Sequence, residues 1–295
     1  MKLIMRPTKS PSPADASCSA RGFSLLELAV ASAVLLVVTA TAVNYIGVVT
    51  QRSQAEQTKV DLTQEGREFV DEFERDIHQS GYPGCADFNN FGILSCATTA
   101  NYANVNFAAG VTSLSSTAIA FEGDVNGDGV VESVQYRLVD SANNYPPSTT
   151  CPCTIQRSEV PKVSAAAPVW SQELQNVVNS GVPVGNPPAA YGGGLPIAGN
   201  IIAGSMSNTA YYASVTTFKD FPVFTAYDQT GTSIALPLDN TSLAGQKTLA
   251  TVKSIRLSIN LLASGTTGYD LKTGVRPVVT LVGNGRRNNR MAWEQ

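Results

Sequence analysis

Histidine is almost missing from this 295-residue chain, and His78 stands alone. A serine or cysteine triad would have to recruit it from the end of a charged helical stretch, and no Gly-x-Ser-x-Gly accompanies it. Closely spaced metal-ligand pairs of the Cys-x-x-Cys kind are absent too, which weakens a zinc reading. No glycine loop stands between a strand and a helix to cradle phosphate; Gly192-Gly193-Gly194 sits among prolines and reads as linker. Charge is scarce at 15% of residues, against about 25% in ordinary domains. The net charge of −3 offers no basic surface for nucleic acid, and Arg286, Arg287 and Arg290 read as a short solvated tail. These absences point away from catalysis and from any certain cofactor.

What the chain does have is one long uncharged apolar run, entered through Arg21-Gly22-Phe23-Ser24-Leu25-Leu26-Glu27 and ending near Thr50. As a helix from Phe23 to Thr50 it reaches about 42 Å, enough to cross a ~30 Å hydrocarbon core. Glu27 is out of place in it, since a carboxylate inside a membrane segment is expensive and marks function. A cut after Gly22 would create a positive amine at Phe23, one helical turn from that carboxylate. Between packed helices the two groups would neutralise each other and fix relative height. Upstream, Lys2, Arg6, Lys9 and Arg21 against Asp15 hold the leader on the cytoplasmic side and send the C-terminus out. Losing the leader leaves 16 basic and 22 acidic side chains.

The order Gly22, Phe23, then an apolar helix with Glu27 at its fifth position resembles the type IV prepilin signal. The resemblance implies cleavage after Gly22 by prepilin peptidase, N-methylation of Phe23, and assembly with other pilin or pseudopilin subunits through the helix. It also implies an inner-membrane precursor, single-pass, that moves into a pilus or pseudopilus.

Residues 1–22 are therefore set apart as a leader. The helix is expected over 23–80, transmembrane at about 25–50. No proline falls between Pro13 and Pro83, and Leu62, Phe69, Phe73 and Ile77 share one face. Glu65, Glu68, Asp71, Glu72, Glu74, Arg75 and Asp76 take the remainder as a solvated surface. Gly66 interrupts the pattern at modest cost, and Gly81-Tyr82-Pro83-Gly84 ends it.

From 81 to 295 the composition shifts to Gly, Asn, Ser, Thr and Pro with short β-type runs, so the fold class is α+β: a long N-terminal helix on an antiparallel β-rich domain. Strands are expected at Thr117 to Glu122, Val131 to Val139, Thr154 to Ser158, Lys253 to Leu262 and Val278 to Val282, with a polar tail after the last. Phe221 to Tyr227 and Thr232 to Leu236 read as a hairpin, and Trp170, Leu174, Val177 and Val178 as one face of a short helix. A Pro/Gly/Asn-rich insertion occupies about 180–212. This order is similar to the larger minor pilins and pseudopilins of the PilW and PulJ type. It implies a pilin "lollipop" and a minor subunit that primes or tips a pilus, or alternatively a pseudopilin of type II secretion. A reading from another class is a permanently anchored, calcium-dependent adhesion domain.

Two constellations remain. Asp124-x-Asn126-x-Asp128-Gly129 matches the first half of a calcium loop, with Glu132 standing in for the missing bidentate glutamate, since position twelve is Gln135. The same residues favour a plain β-turn. Cys85, Cys96, Cys151 and Cys153 stay in the trimmed chain, and an extracytoplasmic location makes disulfides the expectation. Cys151-Pro152-Cys153 is poorly placed to close on itself, which leaves Cys85–Cys96 with an unusual second bridge, or two long-range bridges.

Overall fold

The computed structural model describes residues 24–85, 104–140, 142–147, 152–163, 166–179, 221–263 and 278–288. The leader and the insertion at 180–212 lie outside them. The chain divides into two units, Met1–Val49 and Thr50–Gln295.

One helix, α1 (Leu25–Gln79), runs without a break in its assignment. In the first unit every helical side chain from Leu25 to Val49 is exposed. It is long and apolar enough to cross a membrane. The hydroxyls of Ser32, Thr39 and Thr41 are satisfied within the helix. Thr39 Oγ1 donates to Leu35 O at 2.8 Å, and Thr41 Oγ1 to Val38 O at 2.8 Å. Such back-bonding removes the cost of carrying a polar side chain through hydrocarbon.

In the second unit an antiparallel sheet forms from β1 (Val111–Leu114), β2 (Ala118–Gly123), β3 (Glu132–Val139), β4 (Cys153–Pro161), β5 (Trp170–Val177), β6 (Phe224–Tyr227), β7 (Ser233–Ile234), β8 (Leu238–Asp239), β9 (Ser254–Leu262) and β10 (Val278–Arg286). Its order is β7-β6-β9-β5-β4-β3-β2-β1-β8, with β10 paired to β9. β10 covers β9 from Leu262 to Ser254, so β6 and β5 share the other side of β9 in tandem. A short helix, α2 (Leu243–Thr251), starts at Ser242, whose hydroxyl accepts from Gly245 N at 3.0 Å.

The α1 residues with the expected spacing, Leu62, Phe69, Phe73 and Ile77, are buried against this sheet. Tyr136 of β3 meets Phe69 and Phe73 edge-on, at ring separations of 5.8 and 5.6 Å. The alternation read in β3 and β9 holds: Val134, Tyr136, Leu138, Ile255, Leu257, Ile259 and Leu261 are all buried.

Four expectations are corrected. First, Trp170, Leu174 and Val177 lie on a strand. Ile155 faces Leu174 while Cys153 faces Val177, so β5 carries an extra residue there, where Asn176 adopts φ 60°. A second irregularity follows between Ile155 and Gln156. Bulges of this kind break the two-residue period and leave inward residues three apart, which imitates a helix. Second, Asp76 is buried, not solvated. Its Oδ2 accepts from Tyr136 Oη at 2.7 Å and from Arg157 Nη2 at 2.8 Å, and Arg157 Nη1 reaches Glu159 at 2.7 Å. Burial opposes the Arg157 charge, but the Tyr136 oxygen and the Asp76 carboxylate outweigh it and raise its pKa. Burial, with Asp76 next, likewise lifts the Tyr136 hydroxyl well above its usual range. Third, Arg287 is buried and donates to Val252 O and Ala250 O at 3.1 Å, closing the end of α2. Fourth, β10 extends through Asn284 and Gly285, which the sequence placed in a tail.

The seat of α1 on β9 and β10 explains Gly66 as well. A methyl there would overlap Leu281 Cδ1 and stand 2.9 Å from Leu261 Cδ1. A side chain at Gly283 would stand 2.6 Å from Val70 Cγ1, and one at Gly285 would stand 2.8 Å from Ile77 Cβ. Glycines on both partners thus let α1 approach the sheet closely. Gly66→Ala should therefore destabilise by about 1–3 kcal/mol, although helix propensity alone favours alanine by about 1 kcal/mol. Urea denaturation decides between the two; a stabilised variant would remove the close-packing account.

Candidate functional site

Gly22 and Phe23 lie outside the described residues, and the structure begins one residue later. Ser24 caps α1: its hydroxyl accepts from Leu26 N at 3.2 Å, and Glu27 Oε2 accepts from Ser24 N at 3.1 Å. The glutamate contact is one arm of a capping box, while the hydroxyl serves as an N-cap on the amide two residues on. Helix starts leave amides without partners, and here the Glu27 carboxylate satisfies one of them. Sequence reasoning reserved Glu27 for an intermolecular ion pair and missed this local role. The signal was present, because Ser24-x-x-Glu27 is the capping-box spacing.

The four candidate calcium ligands fall in the hairpin between β2 and β3. Asp124 is buried and spends both oxygens on the turn, Oδ1 on Gly127 N at 2.7 Å and Oδ2 on Gly129 N at 3.0 Å. Asn126 Oδ1 accepts from Asp128 N, and Asp128 Oδ1 from Val130 N. Glu132, the first residue of β3, is buried and accepts from Val125 N at 3.2 Å. Gly127 and Gly129 take φ of 78° and 86°, a region open to glycine at no steric cost. The turn is thus satisfied from within. Among the described residues no three carboxylate, thiol or imidazole groups are placed to hold a metal ion. Gln135 of the loop pattern sits in β3 opposite Ala120.

Glu132 is nonetheless electrostatically uneasy. Burial pushes its pKa up to about 7, and Asp128, Asp124 and Glu159 add to that, while the Val125 amide pulls it down. A second buried carboxylate, Glu122, shows the usual remedy. Its Oε2 accepts from Lys162 Nζ at 2.6 Å and from Ala109 N at 2.8 Å, although burial still raises its pKa.

Cys85, just beyond α1, and Cys153, at the start of β4, are fully buried and disulfide-bonded. Cys96 and Cys151 lie outside the described residues. His78 is exposed on the last turn of α1, its Nδ1 2.8 Å from Asn288 Nδ2.

The raised pKa gives the hairpin a pH signature. The folded state keeps a proton on Glu132 that the unfolded state gives up in the ordinary carboxylate range. Its favourable contribution is therefore full below that range and is lost as pH rises through about 7. Glu132→Gln, which imitates the protonated form, should raise Tm by about 2–4 °C at roughly pH 8 and match wild type near pH 4. Calcium held by this loop would ionise Glu132 and erase the difference; an unchanged difference in millimolar calcium identifies a turn alone.

Compared with protein-family models, with curated proteins and with solved structures, the chain finds no match.

Proposed function

We propose that this chain is the precursor of a type IV pilin-like structural subunit. In this reading prepilin peptidase cuts after Gly22, Phe23 becomes the methylated terminus, and the helix of the trimmed chain packs with those of other pilin subunits in a filament. The subunit takes a minor position, priming or tipping a pilus. Before assembly it resides in the inner membrane with residues beyond about Thr50 outside the cytoplasm, where the disulfides of Cys85 and Cys153 form. The chain's role is structural, and the long helix with its antiparallel domain is read as a pilin fold.

One observation carries the reading: the twenty-five residues of α1 from Leu25 to Val49, nearly all apolar or small, are exposed throughout and yet include Glu27. A helix serving only as an anchor would do better without a carboxylate, which costs ~2.5–3.5 kcal/mol on insertion scales when unpaired. The Ser24 amide offsets part of that cost and leaves the negative charge intact. A neighbouring subunit's Phe23 amine would complete it, because opposite charges attract far more strongly in a low-dielectric helix bundle than in water.

Glu27→Gln separates the two roles. Glutamine keeps an acceptor for Ser24 N and removes the charge, whereas Glu27→Leu removes both. Each variant should insert and be trimmed, and each should enter sheared filaments about tenfold less than wild type, the scale of a 1.4 kcal/mol interaction. Wild-type incorporation of the glutamine variant alone would reduce Glu27 to a helix cap. Wild-type incorporation of both would remove the carboxylate from assembly altogether.

A further inference from the structure

The outer face of β6, β9 and β10 carries a groove of about 270 Å³ that neither α1 nor the hairpin turn uses. Phe221 and Tyr227 contribute aromatic rings to it, Thr225, Ser258 and Thr280 contribute hydroxyls, and Arg256 contributes the one charge. Phe221 is 51% exposed and Arg256 is exposed as well. No acidic residue is turned to this face by the three strands. Among the described residues Arg256 has no ion-pair partner.

The groove is built rather than incidental. Beneath it Asn179 is fully buried and donates to Phe221 O at 3.3 Å and to Ser258 O at 3.0 Å. Its Oδ1 accepts from Asn260 N at 2.7 Å, and Asn260 Oδ1 accepts from Thr280 Oγ1 at 2.7 Å. This chain of amides fixes the Phe221 backbone against β9 and turns the Thr280 hydroxyl proton inward, leaving its oxygen lone pairs for a ligand. A shell of this kind pre-organises a site and lowers the entropy cost of binding.

We propose that the groove binds a carboxylate-bearing saccharide. The class follows from what the lining can and cannot satisfy. A guanidinium matches a carboxylate with two parallel hydrogen bonds. Hydroxyls on three strands suit a ligand that itself presents many hydroxyls, and the exposed Phe221 ring beside the half-buried Tyr227 suits the apolar face of a sugar ring. β9, the strand at the middle of the groove, offers an added peptide strand no free edge, and at the groove only the outer side of β10 is open among the described residues. β9 is paired by β6 and β10, Ser258 N donates to Val223 O, and Val178 N donates to Asn260 O. Polyphosphate is disfavoured by a single cation with no cradle of backbone amides around it. The volume suits one or two sugar rings and little more.

The probe is a trisaccharide of galacturonic acid, titrated by calorimetry into the full chain in detergent micelles. Its counterpart with every carboxyl reduced to an alcohol serves as the neutral control. The acidic sugar should bind at least about tenfold more tightly than the neutral one. Arg256→Gln should remove that preference, and Phe221→Ala should weaken both ligands. Arg286→Ala, an exposed arginine beyond the groove, should change nothing. Equal binding of the two sugars would overturn the proposal, as would wild-type binding by the Arg256 variant. Competition by an acidic peptide at equal concentration would show the class to be wrong. Unchanged thermal unfolding of the Arg256 variant confirms that a lost preference is not lost folding. None of these readouts depends on trimming or filament entry, so their failure leaves the pilin reading untouched.

Discussion

The close seat of α1 on β9 and β10 is the contact on which the second unit depends. Helix and sheet approach only because Gly66, Gly283 and Gly285 leave out side chains where the surfaces meet. That approach brings Phe69, Phe73 and Ile77 into the core and delivers Asp76 to Arg157 and Tyr136. A buried carboxylate is tolerated only when paired and hydrogen-bonded, and removing one member of such a pair costs about 3–5 kcal/mol. The ion pair therefore adds little net stability by its presence, yet it penalises any shift of the helix along the sheet. The same helix is mostly apolar and exposed from Leu25 to Val49, and long enough there to cross a membrane.

Much of this was legible in the sequence where the signal was local. The helix could be read from the missing prolines, from its spacing of Leu62, Phe69, Phe73 and Ile77, and from its stop at Gly81. β3 and β9 followed from strict alternation. The hairpin at Asp228 followed from turn chemistry: the Asp228 carboxylate accepts from Thr230 N and Thr232 N, the role an aspartate plays in such turns. What stayed hidden was mostly non-local. Asp76 looked solvated because its partner Arg157 lies 81 residues away. Arg287 looked like tail because the carbonyls it closes belong to another segment. β5 was misread for a different reason, since its bulges shift inward residues onto a helical spacing. α2, β1 and β8 went unnoticed because they are short and weakly patterned.

The candidate site shows the same division. Glu27 stands out in the sequence as a carboxylate in an apolar run, and its bond to Ser24 N shows that an exceptional residue can also do an ordinary job. Capping and intermolecular pairing are compatible, because a carboxylate has lone pairs to spare after one amide is satisfied. In the hairpin, the oxygens that resemble calcium ligands likewise accept from amides of their own turn. Spacing alone does not show which amides each oxygen serves; the folded hairpin does.

The central claim is that the leader is a processing signal and the helix an assembly element. Mass spectrometry of the N-terminal tryptic peptide, taken from sheared filaments and from membranes, tests it most directly. The account predicts a peptide that begins at Phe23, ends at Arg52 and carries one added methyl group, present in both fractions. A peptide that begins at Gly22, unmethylated, in all the protein recovered would contradict it and leave a permanent anchor, because trypsin cuts an untrimmed chain after Arg21.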